Sequence, residues 1–401
     1  MGEPAHLQHR SKAAAPVVPD GLLRRLLEVC LGGWPLPKCE ATAERILLRA
    51  DQLGVFPLLY QYLRAAGLPL APSQHHRWRT HVIRIALLSR RLQRVVQALQ
   101  DLEHAVLKGL PLAVAAYGDV HARSVGDVDI LVRASDVPRA QACLEAAGYA
   151  AAPGARPWFG GNNQFALYHS GHGLAVELHW AMAMPSVPSP SADELLRSRA
   201  SVLLDSRFLV TTLDAQAGLL SLVLHYHHHV GFVGGLFDIA AWLDRQGPAL
   251  DPGAVRETCR RLGIYGVLQW PMHVLRSLTG KAPQLLGEDV EPQVLLWSRC
   301  TAARMRSCLA ADRYPGLRRS ATTTHGALLG RRMAWRLLSA SLLDGFRAKA
   351  VGVLQPVFHG PRAHAEYRGE PRVTFGTYVH MALRPYVLAR KRWARMPPRD
   401  S

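Results

Sequence analysis

An α+β fold is predicted, and three features of the chain predict it. Apolar residues recur at helical spacing up to about residue 102, short strand-like runs are gathered after residue 103, and helical spacing returns beyond residue 211. With 401 residues, 49% hydrophobic and 19% charged, the chain has the composition of a globular protein large enough for two or three packed units.

Taken in order, residues 1–19 are rich in Ala, Pro and Gly and are read as a flexible N-terminus. A helical region follows over 20–102, with "ATAERILLRADQLGVFPLLYQYLRAAG" and "RIALLSRRLQRVVQALQDLE" separated by the break "GLPLAPS". The core is placed at 103–210. It opens with the strand-like runs "HAVLKG" and "VGDVDILV", followed by a helix over "ASDVPRAQACLEAAGY" that Ser135 or Asp136 would cap and Gly148 would end. A hairpin is expected in "FALYHSGHGLAVELHW", turning at Ser170 to Gly173. After the Pro-rich "MPSVPSPS" the pattern reads as helical again. A helical domain is assigned to 211–350, its first helix starting at a Thr-x-x-Asp box at Thr211 to Asp214 with Leu219, Leu220 and Val223 on its apolar face. Residues 351–401 form a mixed, basic C-terminal segment.

Lys and Arg number 48 against 30 Asp and Glu, a formal charge of +18 that suits anionic partners: nucleotides, nucleic acid or an anionic membrane surface. No run approaches the roughly 20 apolar residues that span a bilayer. The start "MGEPAHLQHRSK" has no apolar signal core, and His6 stands where a myristoylation signal wants Ser or Thr, so export is not expected and a cytoplasmic location is. Cys30, Cys39, Cys143, Cys259, Cys300 and Cys308 form no CxxC pair and read as reduced thiols.

The chemistry concentrates in "SVGDVDILV". Asp127 and Asp129 share one strand face about 7 Å apart, while Val128, Ile130 and Val132 face the other way. Two carboxylates so placed can share divalent cations, and magnesium favours oxygen ligands from few protein groups plus water and phosphates. The plain alternative is an edge strand with a solvated polar face. In "AVELHW", Glu177 shares a face with His179 while Trp180 packs oppositely, which makes Glu177 a candidate third acid, as metal ligand or as acceptor of a hydroxyl proton. Upstream, "VLKGLPLAVAAYG" runs from a strand through Lys108 and Gly109 into a helix, a place for phosphate, with the bland reading of a simple turn. Arg123 either steadies a phosphate or is a surface residue.

These residues together resemble a known group. "LKG", "YGDVHARSVGDVDILV", a helix ending "LEAAGY" and then "VELHW" are similar to the uncharacterised bacterial nucleotidyltransferase family of the DNA polymerase β-like superfamily, over about residues 20–350. The resemblance implies a small mixed β-sheet nucleotidyltransferase core flanked by N- and C-terminal helical regions. It also implies metal-dependent transfer of an NMP from an NTP to a hydroxyl or phosphate acceptor, with release of pyrophosphate and Mg2+ (or Mn2+) as cofactor. By position it makes Asp127 and Asp129 metal ligands and Glu177 the third acid. The superfamily's usual Gly-Ser phosphate turn is here Lys108-Gly109-Leu110, without the Ser. Small-molecule, saccharide and peptide natural-product acceptors, as in polysaccharide assembly, are implied by resemblance alone. Protein nucleotidylation is the alternative enzyme, and an inactive nucleotidyltransferase-fold binding module the alternative of another class.

In "HYHHH", His225, His228 and His229 fall on one helical face and His227 lies off it. His225 and His229 have the spacing of two zinc ligands, but Tyr226 replaces the Glu of a hydrolytic zinc helix. The competing readings are a structural cluster or, with the resemblance, an acceptor pocket that also takes His179 and Asp238. Asp238 either orients substrate or Lys108, or has a helix-capping or ion-pair role. The C-terminal "RPYVLARKRWAR" is a solvated helical end or a contact for anionic lipid, with nucleic acid less favoured.

Overall fold

The computed structural model describes residues 21–30, 40–153, 155–157, 159, 162–204, 208–229, 232–287, 289–310 and 342–344. The readings of residues 1–19, of the basic segment 351–401 and of most of 311–350 lie outside the described residues.

Four helices lead in: α1 (Leu22–Cys30), α2 (Glu40–Gln52), α3 (Phe56–Ala65) and the 27-residue α4 (Pro72–Ala98). Pro57 and Pro72 stand at the first or second positions of α3 and α4, where the missing N–H costs no helical bond. Strand β1 (Ala105–Val106) turns at Gly109 into the short helix α5 (Leu110–Leu112), which continues as a π-helix over Ala113–Tyr117. Then come β2 (Val128–Leu131), α6 (Val137–Ala146), β3 (Tyr149–Ala151), β4 (Gln164–His169), β5 (Ala175–His179), α7 (Ala192–Arg197), β6 (Arg199–Leu204) and β7 (Phe208–Leu213). Helices α8 (Ala215–His228), α9 (Val233–Gln246), α10 (Pro252–Leu262), α11 (Tyr265–Thr279) and α12 (Pro292–Ala310) complete the described chain. Among the described residues no helix is long and apolar enough to cross a membrane.

The strands form one mixed sheet in the order β3-β4-β5-β2-β1-β7-β6. β2 runs parallel to β5 and β1 parallel to β7, and the other neighbours are antiparallel. Alternation along the central strands divides the sheet chemically. Val106, Val128, Ile130, Val176 and Leu178 enter the main core, together with Leu219, Leu220 and Val223 of α8. The opposite face carries Leu131, with Ala105, Leu107, Leu195, Leu196, Leu213 and Ala217 in a smaller apolar cluster, and beside it Asp129, Glu177 and His179. The apolar end of that face anchors the strands; the polar end is left for chemistry.

Several local expectations change in detail. The hairpin is present, with Gly173 at φ 65° closing its turn onto the His169 carbonyl. Asp136 does hold the N-cap position of α6, but its side chain bonds no helix N–H. The Thr-x-x-Asp box is overturned: Thr211 lies within β7, and Asp214 caps α8 by accepting from the Ala217 N–H at 2.8 Å. Residues 199–204 and 208–213, in a stretch read as helical, are instead the antiparallel strands β6 and β7, so the sheet extends three residues past the boundary expected at 210. β7 completes the sheet because its Thr212 hydroxyl donates to the Val106 carbonyl at 2.6 Å beside the parallel pairing to β1.

Candidate functional site

The site begins with strand register. β2 and β5 are parallel neighbours in which Asp129 pairs with Glu177 and Leu131 with His179, so both acids and the imidazole stand on one face of adjacent strands. Asp127 precedes β2 rather than lying within it, and its side chain is exposed. Asp129, by contrast, is 3% exposed.

A carboxylate that deep needs partners. His179 Nε2 donates to Asp129 Oδ1 at 2.9 Å and lies 3.7 Å from Glu177 Oε2. Lys108 Nζ stands 3.3 Å from Asp129 Oδ2 and 3.3 Å from Nδ1 of His225. Gln164, at the start of β4, donates its amide to Glu177 Oε2. Burial opposes the charge on Asp129, yet the Lys108 ammonium and the His179 bond hold its carboxyl well below the usual carboxylate range. Asp127 is pushed the other way, by lost hydration and then by the neighbouring charge of Asp129. His179 is raised although burial works against its proton, because the bonds to Asp129 and Glu177 prevail. His225 is driven well down by burial and by Lys108, which matches a neutral ring accepting the lysine's proton at Nδ1.

Lys108 is positioned by the turn that follows it. Gly109 has φ 72° and ψ −128°, a region closed to side-chain-bearing residues, and a Cβ there would lie 3.3 Å from Cγ1 of Val125. The chain can therefore reverse out of β1 with Lys108 directed at Asp129.

Arg123 and Asp238 meet each other. Arg123 Nε bonds both carboxylate oxygens of Asp238, at 3.0 and 3.1 Å, and the Tyr117 hydroxyl donates to Oδ1 at 2.8 Å. Asp238 is 3% exposed and belongs to this ion pair rather than to Lys108. Of the four residues grouped as an acceptor pocket, His179 and Asp238 are buried partners of other side chains, whereas His229 is exposed and meets His225 edge-on with ring centroids 4.4 Å apart. Burial, then His228, lowers His229 to about 4. His227 is buried beside Trp270.

Among the described residues, the group of acids, histidines or cysteines compact enough to hold a metal is Asp129, Glu177 and His179, with one ligand atom from each within 4.8 Å of the others. His225 and His229 gain no third ligand of this kind. The donor set is two carboxylates and an imidazole already committed to one of them, with no thiolate, which fits a hard divalent cation. Asp127 lies outside that trio but close enough for its ionisation to respond to Asp129, Glu177 and Lys108. Gln164 and Tyr117 were not singled out by sequence. Gln164 carries a faint signal, an alternating polar position at the head of the expected hairpin; Tyr117 carries none.

The family model described as "Uncharacterised nucleotidyltransferase" matches residues 40–280. That span runs from α2 to the end of α11 and contains every residue of the site just described. No curated protein matches the chain.

Proposed function

The chain belongs to the uncharacterised nucleotidyltransferase family, enzymes that transfer nucleotidyl groups, and from that premise we propose that Asp127, Asp129 and Glu177 form its active site. The observation that carries this reading is the pairing of Asp129 with Glu177 across parallel strands, with Asp127 two residues upstream. Mg2+ or Mn2+ would be held by these carboxylates and would supply charge neutralisation for the phosphates of the NTP.

The chain's own groups have separable tasks. His179 and Lys108 hold Asp129 ionised and fixed in rotamer, and the amide of Gln164 fixes the rotamer of Glu177. Asp127, which is exposed, is the acid with freedom to adjust to an incoming ligand. Lys108 adds positive charge beside Asp129, and Arg123 adds more near Asp127. In the transfer, an acceptor hydroxyl or phosphate oxygen bonds to the α-phosphorus as the bond to pyrophosphate breaks, and Glu177 would take the proton of a hydroxyl acceptor. Acceptors of small-molecule, saccharide or peptide natural-product type suit this chemistry.

The test is incubation of the purified protein with each α-labelled NTP, Mg2+ and a host extract. A labelled small product that requires the metal and disappears with Asp127→Asn supports the reading. Label fixed on protein chains would make the enzyme a protein nucleotidylase, and equal labelling by Asp127→Asn would contradict the assignment.

A further inference from the structure

The cations nearest the carboxylates are already engaged. Lys108 faces Asp129 and His225, and Arg123 is held by Asp238 through both carboxylate oxygens. Their side chains are only 15% and 18% exposed. A triphosphate bound at the carboxylates brings up to about four negative charges, which one or two divalent ions offset only in part. A further cation without a carboxylate partner, close to Asp127, would complete the neutralisation.

Helix α4 supplies one. Its sequence holds Arg77, Arg79, Arg84, Arg90, Arg91 and Arg94 and no acidic residue. Arg77 is paired with Asp51, while among the described residues the other five have no carboxylate partner. Of these, Arg84 comes to the residue next to Asp127: its Nη2 lies 3.8 Å from where a Cβ on Gly126 would be. At that distance a Cβ would make ordinary van der Waals contact, so the guanidinium lies directly against the backbone that precedes Asp127. One turn earlier, His81 Nε2 bonds the His121 carbonyl at 2.9 Å and fixes this part of α4 against the loop. Arg84 itself is exposed.

The geometry points to Arg84 as a binding residue for the triphosphate of the NTP, brought from the N-terminal helical region to the backbone at Gly126 beside Asp127. A guanidinium suits this task because its fork of donors matches phosphate oxygens two at a time. The inference rests on the nucleotidyl-transfer reading above and adds to it a residue that lies on no strand of the core.

The test is calorimetric binding, with Mg2+, of a nonhydrolysable α,β-methylene analogue of each NTP and, separately, of inorganic tripolyphosphate. Wild type is compared with Arg84→Gln, Arg84→Lys and Arg94→Gln, each checked for an unchanged melting temperature. Arg84→Gln should weaken both ligands about ten-fold, the loss of a charge-assisted contact. Arg84→Lys should recover part of the loss, and Arg94→Gln, which removes the same charge from the same helix, should change binding less than about two-fold. Equal losses for Arg84→Gln and Arg94→Gln would reduce the effect to a general field and overturn the assignment. So would a loss for the nucleotide analogue without one for tripolyphosphate. If wild type binds an analogue and Arg84→Gln binds it equally well, the inference falls and the nucleotidyl-transfer reading stands; if wild type binds neither ligand, both fall.

Discussion

Asp129 is the residue on which the site's electrostatics turn. It is buried, yet it is kept ionised by an ammonium on one oxygen and an imidazole on the other. A carboxyl whose folded pKa lies below its unfolded value of about 3.9 adds stability that is fully present above that value and is lost as pH falls through the folded pKa. In metal-free buffer, denaturant unfolding measured from pH 6 downward should therefore show wild type losing stability below about pH 4 more steeply than Asp129→Asn. Parallel curves for the two proteins would mean that the Lys108–Asp129–His179 contacts contribute nothing. Sequence alone exposed the two aspartates, because acids in an apolar strand are costly and so conspicuous. It did not expose their unequal burial, which follows from where β2 begins: at Val128, leaving Asp127 outside the ladder.

At the scale of elements, the site depends on a turn and a register. Gly109 lets β1 reverse into α5 in a conformation that a side chain would strain by about 1–3 kcal/mol. Gly109→Ala should lower the unfolding free energy by about that amount, read from denaturant curves, and should shift Lys108 away from Asp129. The elements legible in advance were those with a period of their own: the Asp strand, the 164–179 hairpin and the apolar face of α8. The β6–β7 hairpin was not, because "RASVLLDSRFLVTTL" mixes apolar pairs with alternation and follows a helix that does carry a capping box, Ser191 with Glu194. Its strand character comes from pairing with β1, a contact between residues 106 positions apart along the chain.

Across the whole molecule, three helices of the main core are tied to the carboxylate end of the sheet by polar contacts in addition to that shared core. α8 reaches it through His225 and Lys108, α9 through Asp238 to Arg123 and Tyr117, and α4 through His81 and the His121 carbonyl. Removing the charge of Asp238 would strand a buried guanidinium, so Asp238→Asn should cost about 3 kcal/mol in thermal or denaturant unfolding; a loss below about 0.5 kcal/mol would show that the pair is dispensable. Such long-range ties are what a single sequence hides. Asp238 and Arg123 were each noticed, but nothing in spacing joins residues 115 positions apart. The central claim is that Asp129 and Glu177, with Asp127 beside them, converge to hold a divalent cation. Its most direct test is Mn2+ binding followed by electron paramagnetic resonance in wild type, Asp129→Asn and Glu177→Gln. Saturable binding in wild type, weakened at least about ten-fold in each variant, is the result expected; equal binding in all three proteins, or none in wild type with NTP present, would contradict it.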